Sequence, residues 1–168
     1  GQIQWQLTRV DFKEVIEDSI VATGQLIEKK NIELTLEMSE KECFVSGDKD
    51  RLIQVMVNLI SNAVKFCDPD NGRIKVGMQK EIEKTGDNEN SFLKVFIKDN
   101  GIGIGKDDQE IVFHEFHQII SGTEGRPAGT GIGLTISKHI IDSHNGRIWV
   151  DSELEKGATF FFTLPLLE

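Results

Sequence analysis

The segment from Asp48 to Phe66 combines the apolar periodicity of a buried helix with one stripe of polar side chains. Apolar residues cover most of the surface of such a helix, so we expect it to pack at the centre of a domain. The polar residues recur at spacings of three and four, which aligns them on the one remaining face. They are Gln54, Asn58, Ser61, Asn62 and Lys65. Burying amides and an ammonium without partners costs several kcal/mol, so this polar stripe must face either solvent or a ligand.

The side chains of the polar stripe suit a metal ion that is bound to phosphate. An amide oxygen is a hard ligand of the kind that Mg²⁺ prefers, and Mg²⁺ usually bridges one or two protein oxygens to phosphate groups. Lys65 can contact a phosphate as a point charge. A plain solvent-exposed face is the competing interpretation of the same pattern.

Two glycine-rich segments follow the helix along the chain. Asp99 and Asn100 lead into the first, Gly101-Ile102-Gly103-Ile104-Gly105, and the second is Gly129-Thr130-Gly131-Ile132-Gly133-Leu134. Asp-Asn-Gly alone is a common turn former. The second segment can open a helix whose N-terminus binds an anion. It also looks like a dinucleotide fingerprint, but that motif follows a strand, whereas a polar loop precedes it here.

In this order, the polar helix and the two glycine segments resemble the N, G1 and G2 boxes of the ATP-binding domain of histidine kinases. This domain belongs to the superfamily that includes DNA gyrase. Val112 to Phe116, between the glycine segments, resembles the F box, and the resemblance runs from about Thr8 to Pro165. It implies a Bergerat-type α/β (α+β) fold, a two-layer sandwich. Three principal helices would cover one face of a mixed, mostly antiparallel sheet, as the order of apolar segments also indicates.

The resemblance implies a role for each matching residue. Asp99 would accept a hydrogen bond from the adenine amino group, and the glycines at 101, 103 and 105 would let backbone approach the base. Asn62 and Asn58 would bind Mg²⁺, and Lys65 would contact phosphate. The backbone from Gly129 to Leu134 would surround the phosphates of ATP. Arg126, in the loop before that segment, could reach the γ-phosphate when the loop closes.

The residue at position 58 also bears on the reaction. In gyrase-like relatives, a glutamate four residues before the metal-binding asparagine activates the attacking water, and Asn58 cannot act as that general base. Such a base typically contributes about 10²–10⁴ in rate, so we expect slow hydrolysis. The sequence therefore favours a histidine kinase that presents Mg-ATP for γ-phosphoryl transfer to a histidine on a separate dimerisation hairpin. A response-regulator receiver domain would be the second partner.

Three alternatives remain open at this point. The chain could be a regulatory module that binds nucleotide without catalysis, as in receptors with a degenerate kinase domain, although the intact motifs disfavour this. It could be a gyrase-type ATPase, which Asn58 disfavours, or a serine kinase of the same superfamily.

Charge and composition disfavour several other classes. The net charge of -9 opposes non-specific binding to nucleic acid or acidic membranes. No apolar run is long enough to span a bilayer. We therefore expect no nucleic-acid partner and no direct membrane contact. An ATP-binding domain is expected in the cytoplasm, where ATP is available, even if the parent protein is membrane-anchored. Cys43 and Cys67 lack metal-site spacing and are expected to be reduced and buried.

The chain is expected to contain one domain over residues 11–168, preceded by a linker or tail at 1–10. Trp5, in that tail, would pack against an element outside this sequence. Residues 84–90 are expected to form a solvated hairpin loop, and residues 118–129 a mobile loop. No histidine of this chain matches the sequence pattern around the phosphoacceptor histidine of histidine kinases. The four histidines are therefore interpreted as surface or packing residues: His114, His117, His139 and His144. Phe113 and Phe116 are expected to pack on the core.

Overall fold

The computed structural model describes residues 2–38, 41–114 and 133–168. The elements in chain order are β1 (Thr8–Asp11), α1 (Phe12–Lys29), β2 (Glu33–Glu37), β3 (Phe44–Gly47), α2 (Lys49–Phe66), β4 (Arg73–Thr85), β5 (Asn88–Asp99), α3 (Lys106–Ile111), α4 (Gly133–Ser143), β6 (Arg147–Ser152) and β7 (Ala158–Pro165). No helix within these ranges is long and apolar enough to cross a membrane.

Within the described ranges, five strands form a mixed sheet in the order β2-β4-β5-β7-β6. The β2–β4 pair is parallel, and the other three pairs are antiparallel. In β5, Leu93, Val95 and Ile97 are fully buried while the alternating residues are more exposed, as expected for a sheet with one covered face. The helices α2 and α4 pack on the sheet and α1 packs on α2, so the predicted two-layer fold is confirmed.

The polar-striped segment forms α2, the central helix. Asp48 caps its N-terminus, where the carboxylate accepts a hydrogen bond from Arg51 N at 3.3 Å. Seven apolar side chains of the helix are buried between α1, α4 and the sheet, and each large one contributes about 1.5–3 kcal/mol. All five residues of the polar stripe remain partly exposed. The periodicity therefore predicted both the helix and the orientation of its polar face.

The N-terminal residues differ from the expected linker. Residues 8–10 belong to β1, which pairs antiparallel with β3, and Val10 is buried opposite Val45. Trp5 lies on α4 and the residue after it, with ring centroids 6.0 Å from His139 and 5.4 Å from His144. The prediction is wrong here because a four-residue strand is too short to show a clear period, and its partner strand lies more than thirty residues away.

The β4–β5 hairpin is longer than expected. Strand pairing continues to Thr85 and Asn88, so the predicted loop at 84–90 is reduced to the turn Gly86-Asp87. Gly86 has a φ of 63°, in the left-handed region that two-residue hairpin turns require. The outermost part of this hairpin, residues 81–91, extends past the pairing of β4 with β2.

Candidate functional site

A cleft opens beside the C-terminal end of α2 and the turn after β5, with about 450 Å³ of empty space when the open solvent at its mouth is included. Most of the described residues that line it are apolar, among them Phe66, Ile104, Val112, Leu134 and Phe160. Asp99 and Asn62 supply the polar side chains of this lining. A flat apolar ligand with one or two polar edges fits such a surface.

Asp99 is a buried carboxylate at the end of β5, and it is 5% exposed. Its Oδ1 accepts a hydrogen bond from Gly101 N at 2.8 Å, and the backbone N–H of Ala158 also donates to the carboxylate. Across residues 2–38, 41–114 and 133–168, no ion pair involves it. Burial raises the pKa of Asp99 to about 6, although the two hydrogen bonds act in the opposite direction. The carboxylate can therefore accept a further hydrogen bond from a ligand in the cleft.

The first glycine segment forms the turn between β5 and α3, and protein packs tightly behind it. A Cβ on Gly101 would overlap the carbonyl oxygen of Phe66, and a Cβ on Gly103 would overlap that of Glu153. Ile102 N also donates to Phe66 O at 3.4 Å. Packing against other segments therefore requires glycine at both positions, and their predicted role in admitting a base is untested. A Cβ on Gly105 would make only ordinary contacts, 3.9 Å from Asp108 Oδ2 and 4.0 Å from Leu154 Cδ1, and its predicted role is untested.

The polar stripe of α2 extends from this cleft towards α4. Asn62 lines the cleft together with Asp99. Asn58, about one turn earlier, donates through Nδ2 to Gly133 O and to Ser137 Oγ, both at 3.3 Å. Lys65 is half-buried, with Nζ 5.5 Å from the centroid of the Phe66 ring. The helix therefore places the amide of Asn62 in the same cleft as the buried carboxylate of Asp99, which β5 supplies.

Comparison with known proteins establishes the family. Residues 47–168 match the model of the family described as histidine kinase-, DNA gyrase B-, and HSP90-like ATPase. The chain belongs to this family.

Curated members of the ATPase family that resemble the chain include two bacterial sensor kinases. Sensor histidine kinase WalK of Bacillus subtilis (strain 168) is 34% identical over 149 residues, which cover 89% of this chain and 23% of WalK. Adaptive-response sensory kinase SasA of Prochlorococcus marinus (strain MIT 9215) is 34% identical over 170 residues, covering 99% of this chain and 43% of SasA. The chain therefore spans less than half the length of either relative.

Solved structures of histidine kinases share the fold. The nucleotide-free catalytic domain of histidine kinase ThkA superimposes with a TM-score of 0.75 at 28% identity, covering 95% of each chain. A second structure is ThkA in complex with response regulator protein TrrA, with a TM-score of 0.72 at 26% identity. The match covers 97% of this chain and 42% of the matched chain in that complex.

Part of the second glycine segment of this ATPase domain is described. Gly133 begins α4, and Leu134 lines the cleft. Arg126, Gly129, Thr130, Gly131 and Ile132 lie outside the described residues, as do the F-box residue Phe116 and His117, so the predictions made for them are untested. Phe113 packs edge-to-face on Phe160, with ring centroids 6.0 Å apart, as expected.

Three residues that no motif indicated hold the turn after β5 in place. Ser152 Oγ accepts a hydrogen bond from Ile104 N at 2.8 Å and donates to Gly157 O at 2.7 Å. Gln109 Nε2 donates to Ile104 O at 2.7 Å. Gly157 has a φ of 89°, and a Cβ there would overlap the carbonyl oxygen of Asp99. One of these contacts had a signal in the sequence. Gly157 stands directly before Ala158, at the turn between two strand-like segments.

His144 connects the two helices beside the cleft. It is buried, its Nδ1 lies 2.7 Å from Ile140 O, and its Nε2 accepts a hydrogen bond from Asp48 N at 3.0 Å. Because a carbonyl oxygen only accepts, Nδ1 carries the proton. His144 thus joins the C-terminus of α4 to the N-cap of α2, a more specific role than the packing residue we predicted.

Proposed function

We propose that this chain is the ATP-binding catalytic domain of a sensor histidine kinase. The observation that carries the proposal is the position of Asp99. It is a buried carboxylate that forms no ion pair in the described ranges, and it lies in an otherwise mostly apolar cleft. A donor on the ligand would satisfy this acceptor, and the adenine amino group is such a donor.

Adenine recognition is the first task of the site. Phe66, Ile104 and Leu134 would cover the faces of the base, and Asp99 would accept the hydrogen bond from its amino group. A hydrogen bond to a charged acceptor contributes about 1.5–3 kcal/mol, which corresponds to about a tenfold to hundredfold preference over a base without the donor.

The phosphates would lie along the polar stripe of α2. Asn62 and Asn58 offer amide oxygens, which are suitable ligands for Mg²⁺, and the two residues lie about one helical turn apart. The bound Mg²⁺ would neutralise charge on the phosphates during transfer. Lys65 would contact a phosphate, and we place the backbone of residues 129–133 and the side chain of Arg126 around the same groups.

The acceptor would be a histidine on a dimerisation hairpin of the parent protein. Asn58 occupies the position at which a hydrolytic relative carries a general base, so the site would preserve ATP for transfer. The phosphoryl group would then pass to a response-regulator receiver domain, a partner class consistent with the ThkA–TrrA complex. We place this activity in the cytoplasm, where ATP is available.

The test is calorimetric titration of the chain with Mg-ATP and with Mg-GTP. We expect ATP to bind at least tenfold more tightly than GTP, and Asp99→Asn to weaken ATP binding about tenfold to a hundredfold. Asp151→Asn, on an exposed position of β6, is the control and should bind as the wild type does. Equal binding of both nucleotides, or an unchanged affinity in Asp99→Asn, would contradict the proposed function.

A further inference from the structure

Ser137 is a fully buried residue on α4, the helix that packs against α2. The other buried residues of this helix are Ile140 and Ile141. A hydroxyl in such an interface is unfavourable unless it is hydrogen-bonded. Its partner is Asn58, whose Nδ2 lies 3.3 Å from Ser137 Oγ.

The contacts of Asn58 determine which end of its amide faces α4. Nδ2 lies 3.3 Å from Gly133 O as well as from Ser137 Oγ. Because a carbonyl oxygen only accepts, the amide end beside Gly133 is the NH₂ group, and its two protons are shared between two acceptors on α4. The oxygen Oδ1 is the end turned away from this pair. No hydrogen bond from another described residue reaches it.

We propose that Ser137 is a positioning residue for metal binding, because it holds the amide of Asn58 with Oδ1 available to Mg²⁺. The inference rests on the proposed function, in which Asn58 and Asn62 bind the metal of Mg-ATP. Without the serine hydroxyl, one hydrogen bond holds the amide in place of two. The amide then also adopts orientations that direct its NH₂ group towards the cation. Partners that orient metal ligands typically change metal affinity 10–100-fold when they are removed.

A role in packing alone predicts a different result. If Ser137 only satisfied its own buried hydroxyl, its removal would change the stability of the domain and leave the metal dependence of nucleotide binding as it is. The decisive quantity is therefore the ratio of ATP affinity with Mg²⁺ to ATP affinity in EDTA, measured by calorimetry.

We expect Ser137→Ala to lower this ratio about tenfold and to leave the affinity for adenosine unchanged, because adenosine does not need the metal. Alanine is the best helix former, so α4 should be retained, and a melting curve verifies this. Ser137→Thr keeps the hydroxyl and should preserve the ratio. Ser19→Ala is the matched control, since Ser19 is equally buried but donates to Val15 O within its own helix.

A double-mutant cycle separates this inference from the proposed function. If Ser137 acts through Asn58, Ser137→Ala should have no further effect on the ratio in an Asn58→Ala background. The inference is overturned by a wild-type ratio in Ser137→Ala, or by the same effect with and without Asn58. A wild-type chain that does not bind ATP, or an Asn58→Ala variant with a wild-type ratio, contradicts the proposed site and with it the premise.

Discussion

Among single residues, Asp99 is a buried carboxylate whose ionisation lowers the stability of the free domain. Its pKa of about 6 lies above the value in an unfolded chain, so ionisation above that pH lowers the free energy of unfolding. This penalty fades as the pH falls through 6, because the protonated carboxyl is then favoured in the folded state. A ligand that donates to the carboxylate offsets the same penalty and should lower the pKa of Asp99 when it binds.

This raised pKa predicts a pH dependence of base recognition. Adenosine is the suitable probe, because it carries no phosphate that titrates near neutral pH. We expect its affinity to be constant above about pH 7 and to fall as the pH decreases through about 6, since the protonated carboxyl is the poorer acceptor. Titration calorimetry from pH 5 to 8 measures this. Asp99→Asn should bind weakly and equally at every pH, and an equal pH dependence in that variant would show that another group titrates.

The sequence predicted the polar stripe on α2, whereas it did not predict the close packing around Gly101 and Gly103. The polar stripe from Gln54 to Lys65 could be predicted because helical periodicity depends only on residues that are close together in the sequence. The neighbours of Gly101 and Gly103 are the carbonyl oxygens of Phe66 and Glu153, which lie 35 and 50 residues away in the chain. No local pattern indicates such contacts, and the hydrogen bonds of Asn58 to α4 could not be predicted for the same reason.

Among the elements, the junction of α2 with α4 depends on His144. The substitution His144→Leu retains an apolar side chain but removes the hydrogen bonds with Asp48 N and Ile140 O. The backbone N–H of Asp48 then has lost its acceptor. We expect a loss of about 1–3 kcal/mol in the free energy of unfolding, measured by urea denaturation. His139→Leu is the control, because His139 also contacts Trp5 but is exposed. Equal stability of the two variants would mean that the His144 hydrogen bonds contribute nothing measurable.

Two glycines should respond to the same substitution in opposite directions. Gly101→Ala forces a methyl group against Phe66 O and should destabilise the domain by about 1–3 kcal/mol. Gly24→Ala places a methyl group on α1 where no atom lies within 4 Å, and should stabilise that helix by about 0.5–1 kcal/mol. Denaturation midpoints of both variants test this, and a Gly101→Ala variant as stable as the wild type would contradict the close packing of Gly101 against Phe66.

Element boundaries were predicted well where the period was long and poorly where pairing was non-local. The helix α2 follows the expected segment from Asp48 to Phe66 closely. The strand β1 was missed, and the hairpin between β4 and β5 was predicted too short, because both are defined by partners across the sheet rather than by their own composition.

In the whole molecule, the cleft is bordered by α2, β5 and β7, so an occupied site should stabilise these elements together. At a Mg-ATP concentration of 100 times the dissociation constant, the linkage contributes about 2.7 kcal/mol. For a domain of this size, that corresponds to a rise in melting temperature of about 5–10 °C. We expect a single transition in calorimetry, with a smaller shift for Mg-GTP. Two separate transitions with ligand would show that part of the domain unfolds independently of the site.

The outer part of the β4–β5 hairpin, residues 81–91, offers an attachment point for labels. It extends beyond β2, and none of the described residues that line the cleft belongs to it. Its tip at Gly86 is exposed on a turn of two residues, and its charged side chains discourage edge-to-edge aggregation. A fluorophore or an inserted epitope at this tip would report on the domain inside a larger assembly while leaving the nucleotide site intact.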